Sequence, residues 1–483
     1  MRTILQDVTV GSSCHSPCQS QCPTRSISNA ATATQAIQAG TPITKKVDMS
    51  VSAFIGTPVS VRVRGTGISN NATNNSAAGG GVVGTPVTVR FAAIAGSPDP
   101  NLSQSKGLFP PLSGENLGLA VRYAGHQSQG TRTYMEDTVD VRFGQVPALD
   151  LSLCIFGVYD GHGGAYVAQS LQDSLGLAVL ENLKNLGDIE NLGNFRTRAS
   201  SSGDEESKSV VTMIEMQIET QIEEALLSAC ASMDRQILSR DYERKMEQRH
   251  GSLGIGLKGN GRKKMKVNKQ TNIFAGSTSS VMVLYKQKKQ RGTEEQEKIH
   301  IALANVGDCR AVVCIQGKSQ QLTTDHRPSD PQERARVEKA GGYVEGGRVG
   351  GSLGVARSFG DLQYKSVGEE VLVSNVRNDD VGKDLDFAKQ HLWGEHQQVV
   401  SRPEVVHLEV RQGQHEFVVM ASDGLWDVLS NDEVCNFVRF QLLVSTDVRQ
   451  AARLLVEEAE GRARRNDESV DNISAVVCCL NQK

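Results

Sequence analysis

From about residue 118 onward, apolar runs rich in β-branched residues alternate with turn residues. The runs at 151–159, 279–285, 299–306, 310–315, 416–421 and 473–480 are of strand length and bounded by Gly, Asp or Asn, which predicts β-strands. Between them the period changes. A helix is expected from Gly163-Gly164 toward Leu183, and Ile214, Ile218, Ile222, Ala225, Ala229, Met233 and Ile237 fall on one helical face. Two more helices are expected at 432–443 and 447–462, each with an acid near its start. Strands and helices are segregated rather than strictly alternating, so the pattern predicts antiparallel sheets with helices packed outside.

The first 106 residues break this pattern. They are rich in Gly, Ser, Thr, Ala and Asn and nearly free of aromatics, so they bury too little apolar surface to offset their ordering entropy. A largely disordered, low-complexity region is expected there. Gly40-Thr41-Pro42, Gly56-Thr57-Pro58 and Gly84-Thr85-Pro86 recur at uneven spacing, too irregular for a solenoid. The folded domain is placed at 115–483, with insertions near 187–270 and 366–400. The first insertion carries the basic string Arg262-Lys263-Lys264-Met265-Lys266, readable as a nuclear import signal or as a solvated loop.

Composition narrows the class. Of the 483 residues, 38% are hydrophobic and 22% charged, ordinary for a globular protein with a sizeable core. The net charge of −3 gives no electrostatic drive toward nucleic acid or an anionic membrane, and no apolar run is long enough to span a bilayer. No nucleic-acid or membrane partner is expected, and the chain is expected to act as a monomer. Cys154, Cys314, Cys478 and Cys479 lie inside strand-like runs and read as buried free thiols of a reducing compartment. Cys14, Cys18 and Cys22 match no common zinc spacing and read as incidental. An intracellular setting, cytoplasm or nucleus, follows. The acid-poor N-terminus makes an organelle transit peptide the weaker expectation.

The candidate chemistry lies in acids at strand ends beside Gly or Asn: Glu136-Asp137, Asp160-Gly161, Asp308, Asp361, Asp423-Gly424 and Asp471-Asn472. Any one alone reads as a turn or cap. Together they put carboxylates where a core strand emerges, a costly placement unless positive charge shares the site. Few basic residues accompany them, so a bound divalent cation is implied, and all-oxygen ligation suits Mg²⁺ or Mn²⁺ rather than zinc.

These residues lie in stretches that resemble the type 2C metal-dependent serine/threonine protein phosphatases. They are Arg132-Thr133-Tyr134-Met135-Glu136-Asp137, Phe156-Gly157-Val158-Tyr159-Asp160-Gly161-His162-Gly163-Gly164, Gly276-Ser277-Thr278, Ala304-Asn305-Val306-Gly307-Asp308, Asp325-His326-Arg327-Pro328, Ala356-Arg357-Ser358-Phe359-Gly360-Asp361, Ala421-Ser422-Asp423-Gly424-Leu425-Trp426-Asp427 and Asp471-Asn472. They occur in the family's order. The resemblance implies an α+β fold, a four-layer α-β-β-α sandwich of two antiparallel sheets packed face to face. It implies hydrolysis of phosphoserine and phosphothreonine in phosphorylated protein substrates by a metal-activated water, with no covalent phosphoenzyme.

The resemblance also implies two Mn²⁺ or Mg²⁺ ions, with positions for a weaker third. Asp160 would bridge the pair, the Gly161 carbonyl would bind one ion, and Asp423 and Asp471 would complete the second ion's shell. Glu136 and Asp137 would act at the first ion, and Asp308 and Asp361 at the third. Arg132 would grip the substrate phosphate and His162 would protonate the departing oxygen. Read without the resemblance, Arg132 is a surface ion pair with Glu136 or Asp137, and His162 is a turn residue between glycines. The competing reading of the whole chain is a pseudophosphatase, a binding or scaffold protein that keeps the fold without turnover. The segment between Asp361 and Arg402-Pro403-Glu404-Val405 is longer than the family's usual one, which leaves substrate choice open.

Overall fold

The computed structural model describes residues 121–185, 205–252, 275–287, 298–367, 385–466 and 468–480. The expectations for 1–106, for Cys14, Cys18 and Cys22, for the basic string at 262–266 and for residues 368–384 of the second insertion lie outside these residues.

Two five-stranded sheets dominate. One has the order β1-β15-β14-β8-β9, built from β1 (Arg122–Ser128), β8 (Arg310–Ile315), β9 (Lys318–Gln321), β14 (His415–Ala421) and β15 (Ile473–Cys479). The other runs β13-β7-β6-β3-β2, from β2 (Thr138–Val146), β3 (Leu151–Tyr159), β6 (Ser279–Gln287), β7 (Ile299–Val306) and β13 (Glu404–Val410). Every neighbouring pair in both sheets is antiparallel.

The layering follows from strand alternation. Along β3, Leu153 and Ile155 join a core shared with the helices α1 (Tyr166–Asn185) and α2 (Glu205–Ser252), through Val167, Leu171, Ile218 and Ile222. The intervening Cys154, Phe156 and Val158 point the other way, onto Val313, Val418, Met420, Val476 and Cys478 of the opposite sheet. That second sheet turns Val312, Phe417, Val419 and Val477 outward, against α5 (Asn431–Ser445) and α6 (Val448–Arg465). Three apolar layers thus separate four structural ones, which is the α-β-β-α sandwich. Both faces of β3 and β7 are covered, and every residue of each is buried. This is why they read in sequence as largely apolar runs, broken only by Ser152, His300 and Asn305, rather than as alternating ones. Each large side chain fully buried this way contributes roughly 1.5–3 kcal/mol.

Helix ends follow local chemistry. Ser430 and Glu433 form a reciprocal capping box at the start of α5. The carboxylate of Asp330 accepts from the Gln332 and Glu333 amides and starts α3 (Pro331–Lys339). Pro331 follows as the first helical residue, where its missing N–H costs nothing. The thiols of Cys154, Cys314, Cys478 and Cys479 are free and buried. Among the described residues no helix is long and apolar enough to cross a membrane.

Both sheets terminate at one end of the sandwich. Tyr159 closes β3 opposite Thr138, Val306 closes β7 opposite Ser279, Ala421 closes β14 opposite Arg310, and Ile473 opens β15 opposite Ser128. The acids flanking those positions are therefore delivered to a common place.

Candidate active site

Asp160 follows β3 directly, and its carbonyl accepts from the Thr278 amide at 2.9 Å. Asp308 sits in the tight turn between β7 and β8. Gly307 there has φ +98°, and a Cβ on it would lie 2.5 Å from Thr278, so the turn requires glycine. Asp423 opens α4 (Asp423–Trp426) just past β14. Carboxylate oxygens of Asp160, Asp308 and Asp423 all lie within 4.8 Å of one another. Gly161 passes so close to the Glu136 carbonyl that a Cβ would approach it to 2.4 Å. The cleft over this nest, about 660 Å³, is also lined by Arg132, Glu136, Gly161, His162, Asp361, Asp427 and Asp471.

The nest is electrostatically unfavourable by itself. Burial, then the charges of Asp137, Asp423 and Asp308, push the Asp160 carboxyl well above the usual range. Burial and Asp423 raise Asp308 to about 8, and burial with Asp427 and Asp471 raises Asp423 to about 6. Asp137 lies behind them, buried, accepting from Ser422 Oγ at 2.8 Å, and burial raises it to about 7. The compensating cations stand at the rim. Arg327 donates from Nη2 to Asp427 at 2.7 Å and holds Nε 3.6 Å from Asp308. Arg132 donates to Asp471 at 2.6 Å while remaining 54% exposed.

His162 stands beside the nest. Its Nε2 lies 2.8 Å from Asp361 Oδ2, which also accepts from Ser358 Oγ at 2.5 Å. Burial by itself would lower the His162 pKa, but the Asp361 carboxylate outweighs it and the net shift is upward. Asp361 is 1% exposed and its Oδ1 is buried without a partner. An all-carboxylate, all-oxygen donor set with an orphaned buried oxygen fits a hard divalent cation.

A family model described as Protein phosphatase 2C matches residues 199–468, more than half of the chain. The chain belongs to the protein phosphatase 2C family. Protein phosphatase 1B of Mus musculus is 31% identical over 363 residues, covering 75% of this chain and 71% of that one. Protein phosphatase 2C 1 of Paramecium tetraurelia is 27% identical over 385 residues, covering 79% of this chain and 99% of that protein. Protein phosphatase 1A of Homo sapiens is 27% identical over 367 residues, covering 76% and 72%. This is a family of serine/threonine protein phosphatases, and its metal dependence agrees with the acidic nest.

Of the residues expected to serve a type 2C phosphatase, the fold brings Asp160, Asp308 and Asp423 into mutual contact distance. It places Arg132, Glu136, Gly161, His162, Asp361 and Asp471 around the same cleft. Asp137 is not on the cleft wall but buried behind it. The ion-pair partner of Arg132 is Asp471, 339 residues away, rather than Glu136 or Asp137. Three contributors have no role in the sequence reading. Asn472 accepts from the Glu136 amide and donates to the carbonyls of Gln129 and Tyr134, bracing the segment that carries Arg132. Arg327 and Asp427 form the rim pair described above. Both stand in stretches already singled out, Asp325–Pro328 and Asp423–Asp427. The spacing of Asp423 and Asp427, four residues apart on a helical turn, is the one local signal that would have coupled them.

Proposed function

We propose that this chain is a catalytically active phosphatase that hydrolyses phosphoserine and phosphothreonine in proteins by attack of water, with no covalent phosphoenzyme. The observation that carries the reading is the convergence of Asp160, Asp308 and Asp423 to within 4.8 Å at the common end of two sheets. Such a nest persists as carboxylates at neutral pH when divalent cations fill it. Asp160, the Gly161 carbonyl, Asp423 and Asp471 would hold two Mn²⁺ or Mg²⁺ ions, with Glu136 and Asp137 supporting the first, and Asp308 and Asp361 a weaker third. When bound, such ions acidify water and withdraw charge from phosphoryl oxygens.

The chain's own groups supply the rest. Arg132 projects into the cleft with its guanidinium more than half exposed, so its planar fork can exchange the Asp471 carboxylate for a phosphate. His162, whose pKa the Asp361 carboxylate shifts upward against the effect of burial, gives its proton to the seryl or threonyl oxygen as that oxygen departs. The pseudophosphatase alternative predicts missing ligands, and no expected acid is replaced here. The proposed setting is intracellular, cytoplasm or nucleus, with phosphorylated proteins as partners of a single chain. Support for it comes from the buried free thiols and the small net charge.

The test is hydrolysis of a phosphothreonine peptide with Mn²⁺ and again after EDTA. Activity with Mn²⁺ that disappears on chelation is expected. Turnover that survives chelation would overturn the reading.

A further inference from the structure

A second polar cluster is fully enclosed. Asp234 on α2 and Lys365 form an ion pair in which both side chains have zero exposure. The Lys365 ammonium donates to both Asp234 oxygens, at 2.9 and 2.8 Å, and to the Ser358 carbonyl at 2.8 Å. Its three N–H groups are therefore all used. Asp234 Oδ1 also accepts from the Gly360 amide at 2.9 Å.

These contacts grip one short segment. Residues 358–361 carry the Ser358 hydroxyl and Asp361 carboxylate that hold His162. The segment is conformationally demanding, with Gly360 at φ +74° and the non-glycine Asp361 at φ +51°. A left-handed Asp persists only where its surroundings over-determine it. Gly360 in β12 (Phe359–Gly360) and His162 in β4 (Gly161–His162) both pair with Gly276 of β5 (Gly276–Ser277). A Cβ on Gly276 would strike Asp361 and His162. The three-stranded unit therefore fixes the imidazole's height, and the buried ion pair fixes the loop that orients it.

We infer that Asp234 and Lys365 are positioning residues for proton donation, coupling α2 to His162 through Ser358, Gly360 and Asp361. The inference rests on the proposed reading of His162 as the proton donor.

The test uses the leaving group. A seryl or threonyl oxygen leaves poorly without a proton, whereas p-nitrophenolate is a stable anion that needs none. Asp234→Asn, Lys365→Met and the double variant Asp234→Leu/Lys365→Met are assayed with Mn²⁺ on a phosphothreonine peptide and on p-nitrophenyl phosphate. The double variant removes both charges of the pair together, so neither is left buried alone, and its melting temperature checks that the fold is retained. The expected result is a fall in kcat of about 10-fold to 100-fold on the peptide, part of what a general acid supplies. KM and kcat on the aryl ester should be unchanged. Equal losses on both substrates, or no loss on the peptide, would overturn the inference while leaving the phosphatase reading intact. A wild-type chain inactive on both substrates would overturn that reading and the inference with it.

Discussion

The acidic nest and the Glu333 cluster show two opposite treatments of buried carboxylate. Glu333 is 5% exposed, and its two oxygens are met by Arg357 at 2.5 Å and Arg336 at 2.8 Å. Burial alone would raise its pKa, but the two guanidinium groups outweigh that and hold it below the ordinary range. In the nest burial and the neighbouring carboxylates outweigh what Arg327 and Ser422 offer, and Asp160, Asp308, Asp423 and Asp137 all move upward. The protein can neutralise buried acids with its own arginines and does so where it needs a fixed loop. At the end of the sheets it leaves the charge open, which is a place for something from outside.

The largest expected effect comes from breaking the nest. Asp160→Asn should lower kcat by about 10³-fold or more, on the scale of losing a principal transition-state contact. The variant should nonetheless be at least as stable as wild type in EDTA, because one repelling charge has been removed. Paired kinetics and melting curves check this. Near-normal turnover would mean the nest is not the catalytic centre.

Next is the pH dependence of the metal-free protein, where the two regions have opposite signs. The nest carboxyls titrate at 3.8 when unfolded and are raised to about 6, 7 and 8 at Asp423, Asp137 and Asp308 when folded. Between those values the folded chain binds more protons than the unfolded one, so stability falls as pH rises. Metal-free protein should therefore lose stability from about pH 4 to about pH 8 by this contribution. Glu333 acts the other way. Its depressed pKa contributes stability that is present above the unfolded value of 4.5 and lost as pH falls below it. Denaturant melts from pH 4 to 8 in EDTA read the nest. Adding Mn²⁺ at a hundredfold excess over its Kd should flatten that slope and add about 2.7 kcal/mol at neutral pH. A slope unchanged by Mn²⁺ would separate the metal from the nest.

What could be read in the chain beforehand follows the same physics. β3 and β7 were legible over their full lengths because both faces are dry. β1, β2 and β13 were not, since each carries polar residues such as His126, Arg142 and Glu409 among its apolar ones and all three are sheet edges. The periodic face from Ile214 to Ile237 announced α2, but not its reach from Glu205 to Ser252. Asp160, Asp308 and Asp423 were visible because each follows an apolar run beside glycine. The His162–Asp361 contact spans 199 residues, and the Lys365–Asp234 pair 131. Nothing local marks such pairs, which exist only once the sheets have brought their loops together.

A smaller effect is expected from Glu333→Gln. The amide keeps one hydrogen bond but leaves Arg336 and Arg357 without their shared charge, both being largely buried. A loss of about 1–3 kcal/mol is expected, read as a lowered denaturation midpoint at pH 7. Mn²⁺ should change that loss little, because the cluster closes its charges internally. A loss that Mn²⁺ fully restored would mean the two regions are one electrostatic unit.

The smallest change in stability should come from Arg132→Ala, and it sharpens the contrast between structural and functional charge. The Arg132–Asp471 pair is short but exposed, with side chains 54% and 37% accessible. Screened pairs of that kind contribute about 0–1 kcal/mol, so the melting temperature should barely move. The same exposure leaves the guanidinium free to turn toward a phosphate. Removing it should raise KM for a phosphopeptide while leaving Mn²⁺ affinity, measured by calorimetry, near wild type. Arg132→Lys should recover the charge but not the bidentate fork, giving a KM between the two. If Arg132→Ala instead destabilised the fold and left KM unchanged, the residue would belong with Glu333's arginines rather than with the substrate.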